Sequence, residues 1–329
     1  MIRMGSNDLV LKIRNLRTHF YVRGLVAKAV DDVDLTIASG QTLGLVGESG
    51  CGKSVTAHSI IGLIPDPPGK IVGGSIVFEG TNLLELPEAR MRKIRGNRIS
   101  MVFQEPMTSL NPVYTVGNQV AEVIKLHQHL SRSETQNRVI EMLQLVGIAE
   151  AEKCSGCYPH QMSGGMRQRA MIAMALACSP KLMIADEPTT ALDVTIQAQI
   201  LALMNKLKEE TGASILFITH DLGVIAEMAQ HVAVMYAGKV MEYTDVQTLF
   251  AEPKHPYTIG LLQSIPVLGR GRKDQKLNAI SGVVPSLLNL PSGCLFSDRC
   301  PDVFSDCRTI EPQMYQVGKN HTARCLKYV

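Results

Sequence analysis

The feature that most constrains this chain is the glycine-rich segment at residues 47–54, which reads GESGCGKS. The segment fits the pattern G-x-x-x-x-G-K-[ST] in full. It follows a short apolar run at 42–46, predicted to be a strand, and it precedes residues predicted to begin a helix. Glycines let the backbone curl around an anion with several N–H groups pointing inward, and the following helix presents its positive dipole end. The sequence therefore predicts a loop that cradles phosphate groups.

Two side chains of this loop carry distinct chemistry. Lys53 would bring a full positive charge to the β- and γ-phosphates of a nucleotide, and the Ser54 hydroxyl would bind Mg²⁺. Cys51 stands at a variable position of the pattern and is expected to be a small tolerated residue. The residues predicted to surround the phosphates are Gly47, Glu48, Ser49, Gly50, Cys51, Gly52, Lys53 and Ser54.

Composition and charge argue against several other classes of protein. Hydrophobic residues make up 45% and charged residues 19% of the 329 residues, a balance typical of globular proteins. The formal net charge is only +3, which argues against a nucleic-acid-binding protein. The longest apolar run is well short of the roughly 20 residues that a membrane-spanning helix needs. No secretory signal is recognisable at the N-terminus, so the chain is expected in the cytosol.

Strand and helix signals alternate along the second half of the chain. Apolar runs typical of strands occur at 182–185, 215–219 and 232–236, and helical patterns lie at 194–210 and from 222. This alternation predicts parallel βαβ units and an α/β fold.

Three other regions differ in character from that alternating pattern. Strands are predicted at 9–13 and 33–37, and apolar residues recur at helical spacing over about 115–146, which suggests a helical insertion. Prolines and glycines are frequent over 251–291, which predicts a linker or an irregular extension.

Polar residues end two of the predicted parallel strands. Asp186 and Glu187 follow the strand at 182–185, and His220 follows the strand at 215–219. Because enzymes with parallel sheets bind ligands at the carboxyl ends of strands, Asp186 is expected to hold Mg²⁺, directly or through water. Glu187 could then orient and deprotonate an attacking water, and His220 could contact the γ-phosphate.

A second predicted anion-binding element precedes the acidic strand. Ser163 would cap a helix whose first residues, Gly164 and Gly165, leave the backbone amides uncovered. With two such elements in this order, the sequence resembles the ATP-binding subunits of ABC transporters over nearly its whole length. Met162 and Met166 replace the Leu and Gln that are usual in this signature segment.

The resemblance implies further roles. Phe20 or its neighbour Tyr21 would stack on adenine, and Gln104 would sense Mg²⁺ and the attacking water. Asp193, in the segment Thr190-Ala191-Leu192-Asp193, would be the acid of a loop that passes between subunits.

The resemblance also implies a fold and a division into domains. The fold would be a P-loop NTPase of the ABC type, with a RecA-like parallel-sheet core, an antiparallel β subdomain and a helical insertion. The ABC domain would cover 8–253, with the insertion at about 106–170, and a cysteine-rich C-terminal extension would cover 254–329.

Two segments narrow the resemblance to one branch of the family. Residues 105–112 read EPMTSLNP, and the tail contains HPYT at 255–258 and PSGC at 291–294. These segments are similar to those of ATPases from dipeptide and oligopeptide importers, a branch that also includes nickel and glutathione systems.

Four of the eight cysteines cluster near the C-terminus, at Cys294, Cys300, Cys307 and Cys325. Four thiolates suit either a [4Fe–4S] cluster or a structural zinc ion, and the residues alone do not separate these possibilities. The resemblance to peptide importers and the wide cysteine spacing favour iron–sulfur. A structural cap without metal is the remaining alternative. The pair Cys154 and Cys157 has no second motif nearby and is expected to be incidental.

The expected function is therefore an ATPase that powers uptake of di- or oligopeptides through a membrane ABC importer, with nickel or glutathione as alternative solutes. Because each chain carries one phosphate loop and one signature, a second ATPase subunit, identical or related, would complete the sites. Two membrane permease subunits and an extracytoplasmic solute-binding protein would be the other partners, at the cytoplasmic face of the membrane. An exporter or a non-transport ABC ATPase acting on nucleic acid is the less favoured class.

Overall fold

A computed structural model describes residues 9–104, 109–190, 192–265 and 280–329. The strands, in chain order, are β1 (Leu9–Val22), β2 (Leu25–Ala38), β3 (Thr42–Val46), β4 (Gly69–Phe78), β5 (Thr81–Asn82), β6 (Ile99–Val102), β7 (Leu182–Asp186), β8 (Ser214–Thr219), β9 (His231–Tyr236), β10 (Lys239–Asp245), β11 (Tyr315–Gly318) and β12 (His321–Ala323). The α-helices are α1 (Lys53–Ile60), α2 (Glu88–Ile94), α3 (Val116–His127), α4 (Arg132–Leu145), α5 (Ala151–Ser155), α6 (Gly164–Leu176), α7 (Val194–Thr211), α8 (Leu222–Met228), α9 (Val246–Ala251) and α10 (Pro256–Gln263). Short 3₁₀ helices lie at Leu83–Glu85, Pro159–Gln161, Ser305–Arg308 and Leu326–Tyr328.

The chain forms two compact units. The first contains the described parts of Met1–Thr36, Thr42–Leu84 and Thr219–Val329, and the second contains those of Ile37–Gln41 and Glu85–Ile218. The helical pattern near 115–146 corresponds to α3 and α4 of the second unit.

The first unit holds two sheets. One has the strand order β2-β1-β4-β5, in which β4 pairs antiparallel with both β1 and β5. The other runs β11-β12-β10-β9-β3. Its β3 and β9 are parallel, and its remaining pairs are antiparallel. Strand β3 is buried along its whole length, so it anchors the glycine-rich loop that follows it.

The second unit contains the parallel strands β8-β7-β6. The alternating pattern predicts β7 and β8, whereas β6 is not among the predicted strands. Every residue of β7 and β8 is buried, which explains why their sequences are continuous apolar runs rather than alternating ones. Side-chain caps begin its longer helices. Ser131 and Glu134 form a capping box at α4, and Thr115 caps α3.

Strands β1 and β2 extend far beyond the predicted segments 9–13 and 33–37, since each has 14 residues. They are joined by a two-residue turn in which Arg23 and Gly24 both have positive φ, of 50° and 79°. That turn geometry matches the twist of a long antiparallel hairpin. An irregularity in pairing between Arg14 and Arg17 blurs the alternating pattern, so the sequence shows only part of β1.

The prediction of a linker or irregular segment over 251–291 is wrong for its first part, which contains α10. Pro256 does not interrupt this helix because it occupies the first turn, where no N–H donor is required. The His255 side chain caps the helix by accepting a hydrogen bond from the Tyr257 N–H. No helix within the described ranges is both long and apolar enough to cross a bilayer.

Candidate functional site

The glycine-rich loop between β3 and α1 has a backbone that only glycine supports at two of its positions. Gly47 has a φ of 152° and Gly52 a φ of 108°. A Cβ atom at Gly47 would lie 2.1 Å from the carbonyl oxygen of Met235, and one at Gly52 would lie 2.2 Å from that of Ala29. The loop therefore lies directly against the backbone of neighbouring strands, and glycine is required for this close approach.

Lys53 closes the loop on itself. Its Nζ donates hydrogen bonds to the carbonyl oxygens of Gly47 at 2.7 Å and Glu48 at 3.0 Å, and the residue is 5% exposed. The ammonium group is thereby held against the backbone of the loop. Cys51 is fully buried, and burial raises the pKa of its thiol, so it remains an unreactive neutral group.

Two residues far along the chain also contact this loop, and neither contact is predicted from the sequence. The hydroxyl of Tyr257 accepts a hydrogen bond from the Glu48 N–H, and the Arg299 guanidinium binds the Glu48 carboxylate. The HPYT segment at 255–258 contains Tyr257, but it indicates only the branch of the family and not a contact with the loop. No local pattern could reveal contacts across more than 200 residues, since the pairs are 209 and 251 positions apart.

The end of β7 presents the two acidic residues predicted there. Asp186 is 2% exposed, and Glu187 adopts a positive φ of 47°, which is unusual for a residue other than glycine. Glu187 Oε2 accepts hydrogen bonds from Gln104 Nε2 at 3.1 Å and from Thr190 Oγ1 at 3.0 Å. The second unit thus brings Gln104, Glu187 and Thr190 together in one hydrogen-bonded group, with the carboxylate as the acceptor.

The serine–diglycine segment begins helix α6. Ser163 caps the helix, since its Oγ accepts a hydrogen bond from the Met166 N–H. A Cβ at Gly164 would find its nearest neighbour at 3.9 Å, in the side chain of Leu192, so the space beside this residue is open as far as the described residues go. The first turn of α6 consequently offers uncovered amides to an external group.

Asp193, which is predicted to lie in a loop between subunits, also has a structural role within the chain. Its Oδ1 accepts a hydrogen bond from the Ile196 N–H at 2.9 Å and so caps α7. The adjoining Ala191 lies outside the described residues, as do residues 105–108 of the segment that follows Gln104.

The remaining predicted residues of the nucleotide site lie in the first unit. Tyr21 is 51% exposed near the end of β1. Phe20 instead covers Gly69 of β4, where a Cβ would lie 2.8 Å from its ring. His220 is exposed, immediately after β8 and before Asp221, which caps α8. An exposed aromatic ring suits a stacking role better than a ring that is packed against a strand.

The four C-terminal cysteines line one small cavity in the first unit. Cys294, Cys307 and Cys325 are buried, and Cys300 is half-buried. Burial raises the pKa of the Cys294 thiol to about 11 and also raises those of Cys300 and Cys325. All four are free thiols that face a common space with apolar walls, which include Phe296.

The spacing of these thiols limits what they could hold. Within the described ranges, no three side chains of His, Cys, Asp or Glu are grouped closely enough to hold a metal ion. Among the described residues, this arrangement supports neither a single zinc ion nor a [4Fe–4S] cluster at the cysteines. Four thiols around one cavity are nevertheless the kind of donor that iron–sulfur clusters take.

The chain is similar to known proteins along most of its length. A family model for the ABC transporter matches residues 30–190, and one for the oligopeptide/dipeptide transporter C-terminal region matches residues 241–307. The probable peptide ABC transporter ATP-binding protein y4tR of Sinorhizobium fredii is 55% identical over 327 residues, which cover 98% of this chain and 97% of that protein. The oligopeptide transport ATP-binding protein AppD of Bacillus subtilis is 53% identical over 97% of each chain.

A solved structure is also similar to this chain. It is the dimeric post-hydrolysis state of the ATP-binding cassette MJ0796 bound to ADP and Pi, with a TM-score of 0.65 and 28% identity. The match covers 72% of this chain and 98% of that cassette.

Proposed function

The chain belongs to the family of ABC transporter ATP-binding proteins, and from this premise we propose that it hydrolyses ATP to power the uptake of di- or oligopeptides. The observation that carries the proposed ATPase activity is the geometry of the glycine-rich loop. Its Lys53 ammonium is hydrogen-bonded to the loop backbone, and Gly47 and Gly52 leave no room for a side chain. The proposed solute is supported by the match over residues 241–307 and by the peptide-transport names of the relatives.

We propose the following roles at the nucleotide. Lys53 and the loop amides bind the phosphates, while Ser54, Gln104 and Asp186 hold Mg²⁺, which neutralises phosphate charge when bound. Glu187 takes a proton from the attacking water. The hydrogen bonds from Gln104 and Thr190 supply the physical support, because they fix the carboxylate in one orientation.

Other residues would complete the site. Tyr21 or Phe20 stacks on the adenine, and His220 contacts the γ-phosphate. Ser163, Gly164 and Gly165 present their amides to the γ-phosphate held by a second ATPase subunit. The open space beside Gly164 among the described residues supports this role. A dimer of two such subunits would close around two ATP molecules and reopen after hydrolysis.

We further propose that two membrane permease subunits bind this dimer at the cytoplasmic face of the membrane and that a solute-binding protein delivers the peptide. The ABC domain would cover 8–253, with its helical insertion at 106–170, and the C-terminal extension would begin at 254. The helices α3–α6 support the position of the insertion. The match beginning at residue 241 supports a distinct C-terminal region.

The solute can be identified with the complete transporter reconstituted in lipid vesicles. We expect dipeptides or oligopeptides, added with the solute-binding protein, to stimulate ATP hydrolysis and to accumulate inside the vesicles. Nickel ions and glutathione serve as matched test solutes. If either of these stimulates hydrolysis and peptides do not, the proposed solute is wrong while the ATPase activity stands.

For the cysteine cavity, we propose a [4Fe–4S] cluster held by Cys294, Cys300, Cys307 and Cys325. Support comes from the four thiols that line one cavity. The raised pKa values mean that binding must displace protons, so loading would be favoured at higher pH. When bound, the cluster would cross-link a C-terminal segment that has few long secondary-structure elements.

Protein purified without air tests this assignment. We expect about four iron and four sulfide ions per chain and a broad visible absorption band, and Cys300→Ser should lower the iron content. Cys178→Ser is the matched control, because Cys178 lies in the second unit at the end of α6, and it should leave the iron content unchanged. Stoichiometric zinc, or no metal at all, would contradict the cluster.

A further inference from the structure

The C-terminal segment contacts the phosphate loop through a buried arginine. Arg299 Nη1 lies 2.7 Å from Glu48 Oε2, and Arg299 Nη2 lies 3.0 Å from Glu48 Oε1. The two hydrogen bonds form a bidentate pair, the strongest geometry available to an arginine and a carboxylate. The arginine side chain is only 4% exposed, so this pair is shielded from water on one side.

Arg299 is itself held in place by several groups. Its Nε donates to the carbonyl oxygen of Ser281 at 3.0 Å, and its guanidinium lies 5.7 Å from the centre of the Tyr236 ring. The neighbouring Glu48 carboxylate raises the pKa of Arg299 further above its ordinary value, so the side chain remains charged. The arginine is therefore a fixed cation that positions its partner.

Glu48 is fixed through its backbone as well. Its N–H donates to the buried hydroxyl of Tyr257 at 3.0 Å, and its carbonyl oxygen accepts from Lys53 Nζ at 3.0 Å. Glu48 lies between Gly47 and Ser49, both in the loop predicted to surround the phosphates. A displacement of Glu48 would consequently move both the loop amides and the support of the Lys53 ammonium.

The packing beneath the arginine connects these contacts. The Phe296 ring lies 5.3 Å from the rings of both Tyr236 and Tyr257, and the Arg299 N–H donates to the Phe296 carbonyl oxygen. The turn that carries Arg299 is therefore packed against the tyrosine that holds the Glu48 backbone. Both contacts to Glu48 therefore come from one packed cluster, in which Tyr257 and Arg299 belong to the C-terminal segment 254–329.

We propose that Arg299 is a positioning residue that acts through Glu48 to hold the phosphate loop in its ATP-binding conformation, so that the C-terminal segment sets the affinity for ATP. The proposal rests on the proposed ATPase function. It assigns to the C-terminal segment a role in nucleotide binding.

Equilibrium ATP binding and steady-state hydrolysis by the full-length chain test this role. Arg299→Gln should weaken ATP binding and raise KM by about tenfold, because it removes a hydrogen-bonded charge partner. The kcat should change less than about twofold, since Arg299 touches no reacting group. Arg299→Lys keeps the positive charge but cannot form both hydrogen bonds to the carboxylate, so it should retain part of the ATP affinity that Arg299→Gln loses.

Two further variants make the result specific. Glu48→Gln should weaken ATP binding in the same way, and the double variant should be no weaker than Arg299→Gln alone, because both act through one contact. The matched control is Arg308→Gln, which removes a surface arginine that lies 3.7 Å from Asp298 and is 63% exposed. This control should bind ATP as the wild type does.

Several outcomes would overturn the proposal. One is a Glu48→Gln variant that folds and binds ATP as the wild type does, which also decides the matter if Arg299→Gln does not fold. Another is a lower melting temperature for Arg299→Gln without a change in KM. The proposal would also be overturned if the loss of ATP affinity in the double variant equalled the product of the losses in the two single variants, because the two residues would then act independently. A wild-type chain that does not bind ATP would instead refute the proposed function.

Discussion

Replacing Glu187 by glutamine is expected to slow ATP hydrolysis by about 10²–10⁴-fold while ATP binding is retained. Glutamine has the same shape, and its side-chain oxygen can still accept hydrogen bonds from Gln104 and Thr190, so the local structure should persist. The amide, however, cannot take a proton from water. Phosphate release in the steady state measures the first effect, and equilibrium binding of ATP measures the second.

The control for this variant is Glu227→Gln, which removes an exposed carboxylate on α8 and should leave hydrolysis unchanged. A Glu187→Gln chain that hydrolyses ATP at the wild-type rate would remove Glu187 from the role of general base. Loss of ATP binding in this variant would also contradict the proposed role, since the carboxylate would then act in binding.

The second large effect is expected at Gly52. Alanine at this position would have to adopt a φ near 108° and would place its Cβ 2.2 Å from the carbonyl oxygen of Ala29, so the loop must move. Strained backbone alone costs about 1–3 kcal/mol, and the backbone clash adds to it. We expect Gly52→Ala to lose ATP affinity by at least about 100-fold, as measured by equilibrium binding with circular dichroism as a check of folding.

Gly212→Ala provides the matched control for backbone strain without a clash. Gly212 also has a positive φ, of 65°, but a Cβ there would meet nothing within 4 Å. Its substitution should cost about 1–2 kcal/mol of stability and leave ATP affinity unchanged. Equal ATP affinity in Gly52→Ala and the wild type would show that this loop does not bind the phosphates.

The elements that could be predicted from the sequence are those with a local signal. The phosphate loop depends on residues next to each other in the chain, and β7 and β8 are continuous apolar runs, so both could be recognised directly. The cap formed by Ser163 follows from the same local chemistry. The first turn of α10 has a local signal too, but the frequent prolines obscured it.

The features that could not be predicted depend on contacts between distant residues. Neither Arg299 nor Tyr257 has a neighbour in the sequence that indicates a contact with Glu48. The capping role of Asp193 is also ambiguous in sequence, because aspartate before a helix serves equally as a cap and as a ligand. The cavity shared by the four cysteines brings together residues whose spacing alone did not distinguish iron–sulfur from zinc.

The central claim is that ATP bound by the loop of one subunit is enclosed by the serine–diglycine segment of another. The most direct test of this claim measures how much Mg·ATP stays bound to the assembly after gel filtration. The assembly carries Glu187→Gln, either alone or together with Gly164→Asp. Among the residues that the structure describes, a Cβ at Gly164 has no neighbour closer than 3.9 Å, so this change should act on the enclosed phosphate. We predict that Gly164→Asp abolishes the retention of Mg·ATP by the phosphate loop of the facing subunit. The same variant should bind ATP normally as an isolated chain. Retention equal to that of Glu187→Gln alone would contradict the claim.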